Sequence, residues 1–96
     1  MEPVVLINPF EVADGREEEC LARWKATAAY MRRQEGFVST KLHTSLDPQA
    51  RFRFVNVAVW RSPEHFQRAV STPEFQALVR QTPFPHYPAV YQVAAE

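Results

Sequence analysis

The alternation of apolar and polar positions divides the chain into strand-like and helix-like stretches. Val4-Val5-Leu6-Ile7-Asn8-Pro9-Phe10 is β-branched and apolar and ends ahead of an Asp14-Gly15 turn, which predicts a first strand. From Asp14 the period changes. Asp14 is placed to cap a helix, Glu17-Glu18-Glu19 suits its positive end, and Leu21, Trp24, Ala28 and Met31 recur at spacings of three and four. That helix is expected to reach Gln34, with Arg32 and Arg33 in its last turn and Gly36 beyond it to take a left-handed conformation. Phe37 to Ser45 reads as a second strand, Asp47-Pro48 as a turn, and Arg53 to Trp60 as a third strand. Ser62-Pro63-Glu64 and Ser71-Thr72-Pro73-Glu74 each set a hydroxyl before a proline at the first helical position. The second helical region is therefore expected in two pieces, with Phe66, Ala69 and Val70, then Phe75, Leu78 and Val79, as their apolar faces. After the proline-rich stretch Pro83-Phe84-Pro85-His86-Tyr87-Pro88, Ala89 to Val93 supplies a last strand.

The order β-α-β-β-α-β, with a broken second helix, predicts an α+β fold of the ferredoxin-like, split βαβ type. Its antiparallel sheet would hold strands 1 and 3 side by side in the centre and carry helices on one face only. Strand alternation then sorts the side chains. Leu6, Asn8 and Phe10 share a face with Phe54, Asn56, Ala58 and Trp60, whereas Val5, Ile7, Val55, Val57 and Val59 point the other way. Two helices cannot cover both faces, and an open valine and isoleucine face of several hundred Å² is unusual on a monomer. A second copy of the chain across a two-fold axis is the expected cover, which makes a homodimer through the sheet face.

Composition narrows the classes further. At 96 residues the chain suits one domain over 1–96, and 46% hydrophobic with 23% charged residues is ordinary globular usage. Eleven Lys+Arg balance eleven Asp+Glu, and no basic or acidic run occurs, so neither nucleic acid nor a membrane surface is an expected partner. A single cysteine, Cys20, makes neither an internal disulfide nor a cysteine zinc site; with no leader pattern and no long apolar run, the expectation is a reduced, cytoplasmic protein. With Gly15 and Gly36 as its only glycines, the chain has no glycine-rich nucleotide loop. His43, His65 and His86 fall on a strand, a helix and a loop, which predicts no metal site, and no cofactor is expected.

Polar chemistry on a face that ought to be apolar is the signal that remains. Asn8 and Asn56 lie on the two central strands facing the helices, where an amide must find partners or cost stability. Trp60 follows Asn56 by four residues, so it shares that face and adds a broad ring with one N–H donor.

Asn8-Pro9-Phe10, the helix after Asp14-Gly15, Gly36-Phe37, Phe54-Val55-Asn56-Val57-Ala58-Val59-Trp60, Ser62-Pro63-Glu64 and Ser71-Thr72-Pro73-Glu74-Phe75 together resemble the antibiotic biosynthesis monooxygenase family, of the dimeric α/β-barrel superfamily. The likeness covers nearly the whole chain. It implies a small cofactor-independent monooxygenase acting with O₂ on an aromatic or enolisable molecule. Members that oxidise anthrones to quinones contact substrate through an asparagine and a tryptophan four residues later on strand 3, which Asn56 and Trp60 match. A tyrosine six residues beyond that tryptophan is replaced here by Phe66, which removes a phenol donor. Haem-degrading members resemble the chain at Asn8, but their haem-ligating histidine and ruffling tryptophan are unmatched, with Val79 and Arg68 or Ala69 near those positions. The resemblance thus assigns Asn56, Trp60 and Asn8 to catalysis, with Phe10, Phe54 and Phe66 expected to line the pocket; His43 and His86 are candidate substrate-binding or basic groups by their imidazole chemistry alone, since no spacing places either in the pocket. The competing class is a non-oxidative ligand-binding, isomerase or pathway accessory protein of the same superfamily.

Overall fold

A computed structural model describes residues 2–96 and contains β1 (Val4–Phe10), α1 (Glu17–Arg32), β2 (Phe37–Thr44), β3 (Phe54–Trp60), α2 (Pro63–Val70), α3 (Pro73–Arg80) and β4 (Ala89–Tyr91). The sheet order is β2-β3-β1-β4 with every neighbouring pair antiparallel, so β1 and β3 are central as the split βαβ arrangement requires. The proline-started helices form as expected. Ser62 accepts a hydrogen bond from the His65 N–H, Thr72 accepts one from the Phe75 N–H, and Pro63 and Pro73 occupy first-turn positions where no N–H is needed.

The start of α1 departs from expectation. Arg16, not Asp14, is the N-cap and has no side-chain cap bond. Asp14 belongs to the preceding turn, in which Gly15 has φ of +89° and donates its N–H to Glu17 Oε1 at 2.8 Å. The first helical turn is held instead by that glutamate reaching back and by Arg16 gripping both carboxylate oxygens of Glu19 at 2.9 and 3.0 Å. Strands β2, β3 and β4 are each shorter than the sequence pattern suggested, by one or two residues at an end.

Val4, Leu6, Phe10, Phe54, Ala58 and Trp60 are buried beneath the helices, whereas Val5, Ile7, Val55, Val57 and Val59 on the opposite face are only half-buried. With a smallest extent of 16 Å the molecule is two layers thick, one of helices and one of sheet. The core on the helix side is itself divided. Val4, Leu6, Ala58, Trp60 and Ala69 form one cluster, with Met31, Phe37 and Phe66 against it. Phe10, Cys20, Phe54 and Phe84 form another. Between them, Asn8 and Asn56 are direct cross-strand partners in the β1–β3 register.

Two local features set the side-chain directions near this row. A register irregularity in β2 between Phe37 and Ser39 leaves Val38 51% exposed and puts both Phe37, opposite Trp60, and Thr40, opposite Ala58, on the helix side. Strict alternation from Phe37 would have sent Thr40 outward. Gly36, at φ +87°, precedes this strand; a Cβ there would lie 2.2 Å from the His65 ring, so the close approach of β2 to α2 requires glycine. Tyr30, outside the expected apolar stripe of α1, is 3% exposed and ties that helix to the α2–α3 junction by donating to the Ala69 carbonyl at 2.7 Å.

Candidate functional site

Between the sheet and the helices lies a cavity of about 620 Å³, within the range of small-molecule sites. Its floor is the helix-facing row of β1 and β3, and Trp24, Ala28 and Met31 of α1 form part of its wall. This explains why Trp24 and Met31 are half-buried although they lie on the inner face of α1: part of what they face is space.

The two asparagines sit on that floor with their amides oriented by the protein. Tyr87 donates its backbone N–H to Asn8 Oδ1 at 3.1 Å, and since a backbone N–H can only donate, the carbonyl end of Asn8 must face it. Thr40 Oγ1 donates to Asn56 Oδ1 at 2.6 Å. Neither Nδ2 group has a partner among the described residues, so both amides keep their N–H donors for whatever enters the cavity. Trp60, 1% exposed, also contributes to the wall; its Nε1–H is buried without an acceptor, and the rings of Phe37 and Phe66 stand edge-on to it at 5.5 and 5.7 Å. A buried N–H with no partner costs about 1–3 kcal/mol.

Electrostatically the cavity is one-sided. No Asp, Glu or Lys lines it among the described residues; Arg23, whose guanidinium reaches only Gln81 Oε1 at 3.4 Å, is its charged contributor. Cys20 lines it as well, and burial, followed by the charge of Glu19, pushes its thiol above the usual range, so it stays protonated. Amide donors and a guanidinium, with no carboxylate in the lining among the described residues, suit an anionic or strongly polarised oxygen on an otherwise apolar ligand.

The sequence-derived residues separate on this geometry. Asn8, Asn56, Trp60, Phe10, Phe66 and His86 all line the cavity. Phe54 does not; it lies buried opposite Phe10 as packing behind it. His43 is on the other face, exposed, in register with Val55 and with Nδ1 3.3 Å from the Val55 carbonyl, so its ring is directed away from the cavity. Among the described residues no three His, Cys, Asp or Glu side chains gather as a metal site, and no helix is long and apolar enough to cross a membrane.

The proline-rich segment 83–88 forms a strap across one end. Pro85 accepts the Glu11 N–H at 2.9 Å, Tyr87 donates its N–H also to Pro9 at 3.2 Å, and Phe10 and His86 form an isolated antiparallel bridge. Outside, the Tyr87 hydroxyl hydrogen-bonds Glu11, which Arg51 also holds at 3.2 Å. The Tyr87 bond, then Arg51, keeps the Glu11 carboxyl below the usual carboxylate range, and the same bond raises the Tyr87 phenol.

Sequence reasoning missed Thr40, Arg23 and Tyr87. Thr40 was hidden by the β2 irregularity. Tyr87 acts through its backbone, which no side-chain pattern reports.

A split βαβ sheet with an amide-lined cavity under its helices defines the chain as an α+β fold of the ferredoxin-like type. The sequence profile of the antibiotic biosynthesis monooxygenase family matches residues 3–81, and the chain belongs to that family. Among solved structures it is similar to a provisionally assigned monooxygenase from Shewanella loihica PV-4, at 37% identity over 99% of this chain and 97% of that one, with a TM-score of 0.88. It is also similar to SnoaB, a cofactor-independent oxygenase from Streptomyces nogalater, at 26% identity over 100% and 97% of the two chains and a TM-score of 0.85. Rv0793 from Mycobacterium tuberculosis shares the fold at 20% identity, 99% and 98% coverage and a TM-score of 0.80. No curated protein matches the sequence.

Proposed function

We propose that this protein is a cofactor-independent monooxygenase that oxidises an aromatic or enolisable small molecule with O₂. The observation that carries the reading is the opposed Asn8–Asn56 pair on the cavity floor, with both amide carbonyls occupied by protein donors and both Nδ2 groups free. Similarity to SnoaB supports the cofactor-independent class.

In this reading the protein need not supply a redox group, because an electron-rich phenolate or enolate reduces O₂ itself. The cavity binds the substrate's anionic form, Asn8 and Asn56 donate to the developing oxyanion, and Trp60 contributes to the apolar wall. Phe10 and Phe66 supply apolar walls for the rings. Phe66 brings no hydroxyl, so the hydrogen bonds to substrate oxygen fall to the two amides. The functional unit is a homodimer, in which a second copy covers Val5, Ile7, Val55, Val57 and Val59.

The test is oxygen uptake with 1,8-dihydroxyanthrone against a buffer blank, for the wild type and Asn56→Ala. Wild-type uptake lost in a folded Asn56→Ala variant supports the proposal. Tight binding without uptake would instead assign the chain to an accessory, non-oxidative role.

A further inference from the structure

Deprotonating the substrate needs a base, and the cavity offers few. Its lining holds three side chains with an exchangeable charge or proton of this kind: Arg23, Cys20 and His86. A guanidinium does not give up its proton in a protein, and Cys20 is held as a thiol by burial. His86 remains, and its surroundings prepare it. Its Nδ1 lies 2.8 Å from the Phe84 carbonyl, which can only accept, so Nδ1 carries the hydrogen and Nε2 the lone pair in the neutral ring. The ring stacks on Phe10 at 5.6 Å and 29°, and the Phe10–His86 bridge fixes its backbone. The neighbouring Tyr87 N–H is bound by Asn8 Oδ1, so the strap that carries the imidazole is tied to one of the two amides. The charged and titratable groups nearest the strap are Glu11, Arg51 and Tyr87 on its outer side and Arg16, whose guanidinium lies 4.7 Å from the Phe84 ring centre. None of them hydrogen-bonds the imidazole.

We propose that Nε2 of His86 is the proton acceptor of the oxygenase reaction, taking the acidic hydrogen of a phenol, enol or anthrone whose oxygen rests on the Asn8 and Asn56 amides. The inference rests on the oxygenase reading above. For an anthrone the ring methylene loses a proton to Nε2. The carbanion passes one electron to O₂, and the resulting radical pair combines to form a C–O bond. The imidazolium returns its proton to the peroxide oxygen. Loss of the second methylene hydrogen as a proton, with O–O cleavage, releases water and leaves a carbonyl, so CH₂ and O₂ become C=O and H₂O.

The experiment compares wild type with His86→Asn, which keeps a donor for the Phe84 carbonyl but has no basic nitrogen, and with His86→Ala. With 1,8-dihydroxyanthrone in air, His86→Asn should lose on the order of 10²-fold or more in kcat at neutral pH, typical for removal of a general base. The deficit should shrink as rising pH ionises the probe in solution, and added imidazole should restore part of the His86→Ala rate. A second readout needs no turnover: 1,8-dihydroxyanthraquinone bound to wild type should show the phenolate absorbance band at a pH where the free dye is neutral, and bound to His86→Asn it should not. Absence of oxygen uptake by wild type would defeat the oxygenase reading while leaving this proton transfer visible. Unchanged kcat in His86→Asn, a loss that ignores both pH and imidazole, or a dye that stays neutral in wild type would overturn the assignment of His86.

Discussion

The two faces of the sheet are made from the same two central strands, one residue out of step, yet they differ in kind. The outer face is Val5, Ile7, Val55, Val57 and Val59, uniform in size and without a polar atom in any side chain. The helix-facing side pairs Val4 with Trp60, Leu6 with Ala58 and Phe10 with Phe54, and interrupts them with Asn8 opposite Asn56. Uniform β-branched residues make a flat surface suited to another sheet. A face that alternates large and small side chains and then places an amide pair between two apolar clusters packs incompletely, and the cavity stands over that row. In the proposed function one face meets a second copy and the other a ligand, so substitutions on the two should fail in different ways.

The largest effect is expected on the outer face. Val57→Glu would set a charge into the proposed dimer interface with no partner, a loss of about 3–5 kcal/mol by comparison with orphaned buried charges, and should give monomer or aggregate in light scattering. A wild type that is already monomeric at micromolar concentration would remove the distinction between the faces. On the inner face, Trp60→Ala should cost about 3–5 kcal/mol in urea denaturation, because it empties the centre of the cluster around Val4 and Ala69. A loss well under that range would mean that the Trp60 end of the cavity is loosely packed.

Asn56→Ala sharpens the comparison, since it should separate stability from turnover. Little packing is lost at a half-buried residue beside a cavity, so the melting temperature should move little, while the barrier rises by about 2–4 kcal/mol through loss of one oxyanion donor. Melting temperature and oxygen uptake measured on the same preparation decide it: destabilisation with unchanged turnover per folded molecule would reduce Asn56 to core. Tyr30→Phe, remote from the amide row, should cost about 1–2 kcal/mol by leaving the Ala69 carbonyl short of a donor. Its denaturation midpoint should fall while oxygen uptake per folded molecule is kept, and a fall in that uptake would mean the α2–α3 junction positions substrate.

What could be read from the sequence followed from short-range physics. Ser62-Pro63 and Thr72-Pro73 announce helix starts because cap and proline act within one turn, and alternation on β1 and β3 sorted the two faces because both strands run without a break. Asp14 misled, since an Asp-Gly pair serves a turn as well as a cap and the helix began three residues later at Glu17. The direct opposition of Asn8 and Asn56 depends on register, which no single strand specifies. Thr40 depends on the β2 irregularity, and the separation of His86 from His43 depends on where a proline-rich loop lands. In each case the missing information lay in a long-range contact.

The smallest expected effect concerns the strap that closes the cavity beside Phe10. Its outer fastening is the Tyr87 hydroxyl to Glu11, with Arg51 on the same carboxylate. Glu11 is held below its usual range, so its contribution is present above the ordinary carboxylate value and fades as pH falls through the lowered one. Tyr87 is raised, so its contribution is present below the ordinary phenol value and fades as pH rises through the raised one. The fastening should therefore hold across neutral pH and weaken at both extremes. All three side chains are solvent-exposed or nearly so, and exposed charge pairs contribute little to global stability, so the melting temperature is a poor reporter. The Tyr87 amide is a better one, because its N–H is bound by Asn8 Oδ1 and the Pro9 carbonyl beneath the fastening. In hydrogen exchange corrected for intrinsic rates, its protection should fall a few-fold toward acid in the wild type. Tyr87→Phe should start lower and lose that acid dependence. Protection that keeps the same acid slope in Tyr87→Phe would show that the strap is secured by its backbone bonds alone.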